Sequence, residues 1–272
     1  MQLNEVGAKA GYLWFRQGIW LFRRNPLALL MLFFTYFFLM MVLSYIPVVG
    51  VLLRVILVPT VSVGFMIACR DTIVGKPVLP TTLVAGLHAY GRGVASQLLT
   101  LGLMYIVAVA AILGLSALCD GGLLFNLLVF DGSVSETALE NSNESLTLMV
   151  MAAAYIPVLM LFWFAPVLTA WHEVPPHKAL FFSFIACWRN RTAFAFYCLI
   201  WGAVIFGAST ILLTVLMALG LSPSAMTTVM VPFCLIVTTA LYCSFYATYR
   251  GCFTLPDAAL TVTADKPPTM TD

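Results

Sequence analysis

The sequence predicts an all-α integral membrane protein: six transmembrane helices in three hairpins, each hairpin preceded by an amphipathic helix in the cytoplasmic interface. Three observations carry this. Of the 272 residues, 62% are hydrophobic and 9% are charged, whereas a soluble domain carries about 25% charged residues. The mean hydropathy is +1.02, so water alone does not wet this surface. Six runs are long and apolar enough for a bilayer, which takes roughly 20 residues of helix. Nearly all the cations lie on one side of those six runs, which also fixes an expected orientation.

The first element is an amphipathic helix over 8–24, in which Lys9, Arg16 and Arg23 recur on one face and Tyr12, Phe15, Ile19 and Phe22 on another. Such a helix lies in the interface, with its apolar side in the acyl boundary and its cations at the phosphates. The stretch "LFRRNPLALL" then turns it into the first span, 27–45. Arginines stop at the headgroups, and the proline begins a new helix where a missing N–H costs little. The first apolar run lacks a small-x-small cleavage site after it, so it is expected to stay as an anchor rather than be removed. A short link, "IPVVG", leads into the second span, 51–69.

A weaker amphipathic stripe, Leu83, Leu87 and Tyr90, marks a second interfacial helix over 80–91, with Pro80 and Thr81 at its start. The third span is 94–118 and the fourth 147–170, joined by a loop that holds Asp120, Asp131, Glu136, Glu140 and Glu144 without a single Lys or Arg. A third interfacial helix over 176–190 sets Leu180, Phe181, Phe184, Ile185 and Trp188 against Lys178 and Arg189. The fifth and sixth spans, 193–219 and 227–249, are separated by "LGLSPSA". The tail 254–272 is polar and proline-rich, a composition that does not bury a core, and is expected to be disordered on the cytoplasmic side.

In this arrangement Lys9, Arg16, Arg23, Arg24, Arg70, Lys76, Arg92, Lys178, Arg189, Arg191, Arg250 and Lys266 fall on one side and only Arg54 near the other. The positive-inside rule then places both termini in the cytoplasm. The junctions "WLFRRNPLA", "HAYGRGVAS" and "ACWRNRTAF" each set an aromatic residue one or two positions before arginine at the start of a membrane run. The even spans carry prolines: Pro59, then Pro157 and Pro166, then Pro232. Together these features read as three tandem units.

The stretches "LFRRNPLALL", "FAPVLTAWHEVPPHKALFFSFIACWRNR" and "YATYRGCF" resemble an uncharacterised family of proteobacterial multi-pass inner-membrane proteins. More distantly they are similar to YciC-like membrane domains and to those attached to some glycerophosphodiester phosphodiesterases. The resemblance covers nearly the whole chain except the acidic loop and the tail. It implies the bacterial inner membrane and brings no catalytic residue, since the phosphodiesterase domain has no counterpart here.

Side-chain chemistry narrows the function classes. "HEVPPH" places His172 and His177 five positions apart with Pro175 and Pro176 between them, whereas a zinc helix needs histidines four apart on one face. A polar hinge is the expected role, and His88 reads as an interfacial residue. The seven cysteines include no C-x-x-C pair and read as small packing residues, so neither metal nor cofactor is expected. No phosphate loop, nucleophile elbow or paired-carboxylate site occurs, which argues against an enzyme, and nothing points to nucleic acid. Arg70 and Asp71 read as a boundary pair at the end of span two. Thr210, Thr214, Thr238, Thr239 and Ser244, with Gly64-x-x-x-Ala68 and Ala203-x-x-x-Gly207, read as helix-packing positions.

The expected function is therefore a non-enzymatic membrane component that organises lipid or supports another membrane protein. Arg16, Arg23, Arg24, Arg92, Arg189 and Arg191 are the candidate contacts to anionic headgroups. The alternative is a transporter or lipid-translocating protein, in which Arg54, Pro59, Pro166 and Pro232 line a pathway or form hinges.

Overall fold

The computed structural model describes residues 2–46, 49–120 and 144–254. The acidic loop and the residues of the tail after Thr254 fall outside the described residues. The described chain is almost entirely helical. α1 is Lys9–Arg24, α2 Pro26–Ser44 and α3 Val49–Val74. A 3-10 turn, Pro80–Val84, runs into the short α4, Ala85–His88, followed by α5, Gly91–Asp120. After the loop come α6 Glu144–Phe162, α7 Ala165–His172, α8 Pro176–Arg189, α9 Arg191–Ala218 and α10 Pro223–Cys252. Two short strands, β1 Gln2–Leu3 and β2 Phe253–Thr254, pair antiparallel with Gln2 opposite Thr254.

Six of these helical stretches are long and apolar enough to cross a membrane, with mean hydropathy from 1.8 to 2.5. They are α2, α3, α5, the α6–α7 pair, α9 and α10. Their outward residues are large and apolar, such as Leu27, Met31, Phe34, Val107, Leu199 and Phe206, a surface suited to lipid rather than water. The protein is thus an all-α multi-pass membrane protein.

The helices overrun the lengths expected from hydropathy. α3 continues to Val74, so Arg70 and Asp71 lie inside the helix, 3.7 Å apart, rather than at its end. α10 continues to Cys252 with Tyr246, Ala247, Tyr249 and Cys252 buried. Packing against protein, not lipid, carries these last turns.

The chain divides into two compact units. The first comprises Met1–Phe37, Gly64–Leu83 and Ala186–Asp272. Here α1 lies against α9 and α10 along a face of small residues, Ala10, Gly11 and Gly18, interrupted by Trp14 and Leu21. A Cβ on Gly18 would overlap Ser244, and one on Gly11 would overlap the backbone of Ala193 and Tyr197. Gly251 makes room for the Trp14 indole in the same way. The Trp14 ring lies tilted 5.1 Å from that of Phe194, and the Tyr197 hydroxyl meets Ser244 Oγ at 2.5 Å. A second cluster joins Phe33, Tyr36, Phe65 and Tyr242, with neighbouring ring centroids 5.0–6.1 Å apart.

The second unit comprises Phe38–Val63 and Val84–Ile185. α5 packs on α6 and α7, and Gly102 lets it approach the backbone of Ile56 on α3. The fourth span is not continuous. Pro166 has no N–H for the carbonyl four residues back and its ring clashes there, so the helix stops at Phe162 and restarts at Ala165. The buried Ser183 of α8 closes the gap. Its hydroxyl donates to the Met160 carbonyl at 2.7 Å and accepts the Phe164 N–H at 2.9 Å.

Two sequence readings need correction. The helix expected over 80–91 is a 3-10 turn plus a single short helix, ended before Gly91, whose φ of 85° an ordinary side chain disfavours. Leu83 is buried because Gly64 of α3 admits its backbone, so this segment is docked on protein. The Ala203-x-x-x-Gly207 pair does not pack: Ala203 is exposed and a Cβ on Gly207 would meet nothing within 4 Å.

Candidate functional site

Three one-residue or two-residue breaks separate a short helix from a membrane-length helix, and arginine stands in a helix flanking each. At the first, Asn25 leaves the helical region (φ −147°, ψ 67°) and Pro26 opens α2. The Asn25 side-chain oxygen accepts the Ala28 N–H at 3.4 Å, capping the new helix. Arg23 and Arg24 stand in the last turn of α1, where cations complement the carbonyl end of the helix. Arg24 lies 5.0 Å over the Trp20 ring and donates to the Ile73 carbonyl at 3.3 Å. Arg23 is exposed, and Arg16 lies 5.8 Å over the ring of Tyr12.

At the second break Gly91 turns the chain, and the exposed Arg92 follows it in the first turn of α5. The third break is a single residue, Asn190, fully buried between Arg189 and Arg191. Its amide nitrogen donates to the carbonyls of Asn4 and Ala186, both at 3.0 Å, and its oxygen accepts the Val6 N–H at 2.8 Å. The N-terminal segment is thereby tied down, since Asn4 N–H also donates to the Cys252 carbonyl and β1 pairs with β2. Arg189 pairs with Glu5, and Arg191 lies 5.5 Å over Trp188.

These contacts orient the guanidiniums without consuming them. An exposed cation–π contact contributes about 0.5–1 kcal/mol and an exposed ion pair about 0–1 kcal/mol. Five of the six arginines singled out by sequence, Arg16, Arg23, Arg24, Arg189 and Arg191, belong to the first unit, and Arg92 belongs to the second.

The remaining sequence candidates distribute differently. Pro59 is buried inside α3 and Pro166 is buried at the start of α7, while Pro232 is exposed on α10. Arg54 is half-buried, and its Nε is shielded from solvent without a hydrogen-bond partner among the described residues. The hydroxyls of Thr60 and Thr169, both fully buried in the same unit, are in the same state. His172 ends α7, Glu173 follows in the left-handed region (φ 52°), and α8 begins at Pro176. The two histidines therefore sit on different helices.

Sequence reasoning passed over Asn190 and Arg250. The first had a readable signal, a lone amide between two arginines at a helix junction. The second stood out only as one more boundary cation, and its surroundings depend on contacts between α1, α3 and α10.

The chain is 55% identical over 255 residues to a probable inner membrane protein of Burkholderia thailandensis, covering 93% of this chain and 94% of that protein. No family model and no solved structure matches the chain.

Proposed function

We infer the function from one premise: the chain belongs to the family of inner membrane proteins that its Burkholderia thailandensis relative represents. We propose that it is a non-enzymatic component of the bacterial inner membrane, with both termini in the cytoplasm. Its arginine-bearing helix ends hold anionic headgroups and so organise lipid or support a membrane complex. The three short-helix-to-span junctions, with the prolines of the even spans, are read as three tandem units, the second opened by a 3-10 turn and one short helix rather than by a full interfacial helix.

The observation that carries this reading is the way α1 and α8 use their faces. Small residues point to protein, while Tyr12, Phe181, Phe182 and Trp188 point outward. A helix with outward aromatic residues and arginines beside them is built for the headgroup level. Each juxtamembrane cation contributes about 1 kcal/mol near an anionic surface.

The test is native mass spectrometry of full-length protein extracted gently from its own membranes. Wild type retains phosphatidylglycerol or cardiolipin, and the double variant R23Q/R24Q retains distinctly less. Equal retention by both counts against the headgroup role. A stoichiometric second polypeptide identifies the complex that the protein supports.

A second reading, translocation of a small or amphipathic anion, is favoured by one group of observations. Arg54 Nε and the hydroxyls of Thr60 and Thr169 are shielded polar groups without a hydrogen-bond partner among the described residues, and such groups are uncommon unless water or a ligand serves them. Uptake of an anionic substrate into proteoliposomes that is lost in R54Q supports this second reading.

A further inference from the structure

We propose that a crevice between α1 and the C-terminal turns of α3 and α10 is a discrete binding site for the phosphate of an anionic phospholipid, held by Arg24 and Arg250. This rests on the reading of the arginine-bearing ends as headgroup contacts and adds a defined site to it. The crevice is lined by Gln17, Trp20, Leu21, Ile73, Tyr246, Ala247 and Arg250, is partly open, and has a volume of about 10 Å³. That volume accepts a group the size of a water molecule. A phosphate therefore sits at the mouth, with at most one oxygen inside.

Arg24 belongs to the same place through its contacts. It covers Trp20 and donates to Ile73, two of the lining residues. Neither Arg24 nor Arg250 takes part in the ion pairs found among the described residues, which join Arg70 to Asp71 and Arg189 to Glu5. Arg250, Arg70 and Asp71 are among the charged groups that act electrostatically on Tyr246. With Asp71 engaged by Arg70, these three groups together leave a positive charge before Arg24 is counted.

The chemistry selects the ligand. Two guanidiniums offer planar donor forks suited to phosphate oxygens. Trp20 and Tyr246 are the side chains expected where one end of a ring is apolar and the other wet. Three residues beyond Arg24, α2 begins an outward apolar stripe of Leu27, Met31 and Phe34. A phosphate carrying acyl chains fits that sequence of surfaces better than a free one.

The test uses full-length protein in phosphatidylcholine nanodiscs doped with phosphatidylglycerol, read by native mass spectrometry under increasing activation. Wild type keeps one last phosphatidylglycerol after the loosely held lipids have gone. R24Q and R250Q each lower that last occupancy roughly tenfold, the loss of a hydrogen bond to a charged group, whereas R24K and R250K keep part of it. Arg24 is exposed, so R24Q carries the test if R250Q fails to fold. R92Q and R191Q thin the loose shell and leave the last molecule in place.

Survival of the last molecule in both R24Q and R250Q overturns the crevice. A loose shell unchanged in R92Q and R191Q overturns the broader headgroup reading and leaves the crevice standing. Displacement of the last lipid by inorganic phosphate at equal concentration overturns the lipid assignment in favour of a soluble phosphate.

Discussion

Asn190 shows how one side chain holds a junction. It is fully buried, and its amide uses two donors and an acceptor on Asn4, Ala186 and Val6. Replacing it with alanine leaves the Val6 N–H and the Asn4 carbonyl without their partner, and an orphaned buried group costs about 1–3 kcal/mol. N190A is therefore expected to lower the thermal stability of the detergent-solubilised protein by several degrees, while R189Q at the neighbouring exposed position leaves it nearly unchanged. Comparison of the two melting curves checks this. At this scale the sequence was partly legible. "RRNP" and "WRNR" announced helix boundaries through arginine and proline, but not that Asn190 reaches back to the N-terminal segment, because that contact spans 186 residues.

For the elements, the informative point concerns faces. Hydrophobic periodicity set Tyr12, Phe15, Ile19 and Phe22 as the apolar side of α1, turned to the acyl boundary, and Leu180, Phe181, Phe184, Ile185 and Trp188 as that of α8. The sides buried against protein are different ones, Ala10, Gly11, Trp14, Gly18 and Leu21 on α1, and Ala179, Ser183, Ala186 and Cys187 on α8. In water the most apolar stripe seeks the core; beside lipid that drive vanishes, and small residues face protein because they let backbones approach. Periodicity located both helices and their apolar stripes, but carried no signal for the small-residue sides that meet protein. A direct consequence separates two glycines. Gly18→Ala pushes a methyl group into Ser244, an overpacking cost of about 1–3 kcal/mol. Gly207→Ala places its methyl in open space and gains helix propensity of up to about 1 kcal/mol. Thermal melting of both variants should move in opposite directions.

On the scale of the whole molecule, six membrane-length helices follow from hydropathy alone, because hydrocarbon leaves the backbone no partner but itself. Their number was legible; the interruption of the fourth was legible only as a proline, since its repair by Ser183 is a tertiary contact. The cations gather at the starts of α2, α5 and α9 and the ends of α3, α8 and α10, which is one side of the membrane if successive spans alternate. The arginine ends act on inner-leaflet headgroups only if that side is the cytoplasm. The most direct measurement is labelling of single added cysteines by a membrane-impermeant maleimide in the full-length protein, with wild type as background. Lys76→Cys, just past α3, should react only in inverted membrane vesicles, and Ser224→Cys, in the first turn of α10, only in intact spheroplasts. Labelling of Lys76→Cys from the periplasmic side would contradict the account, because the arginine-bearing ends would then face the wrong leaflet.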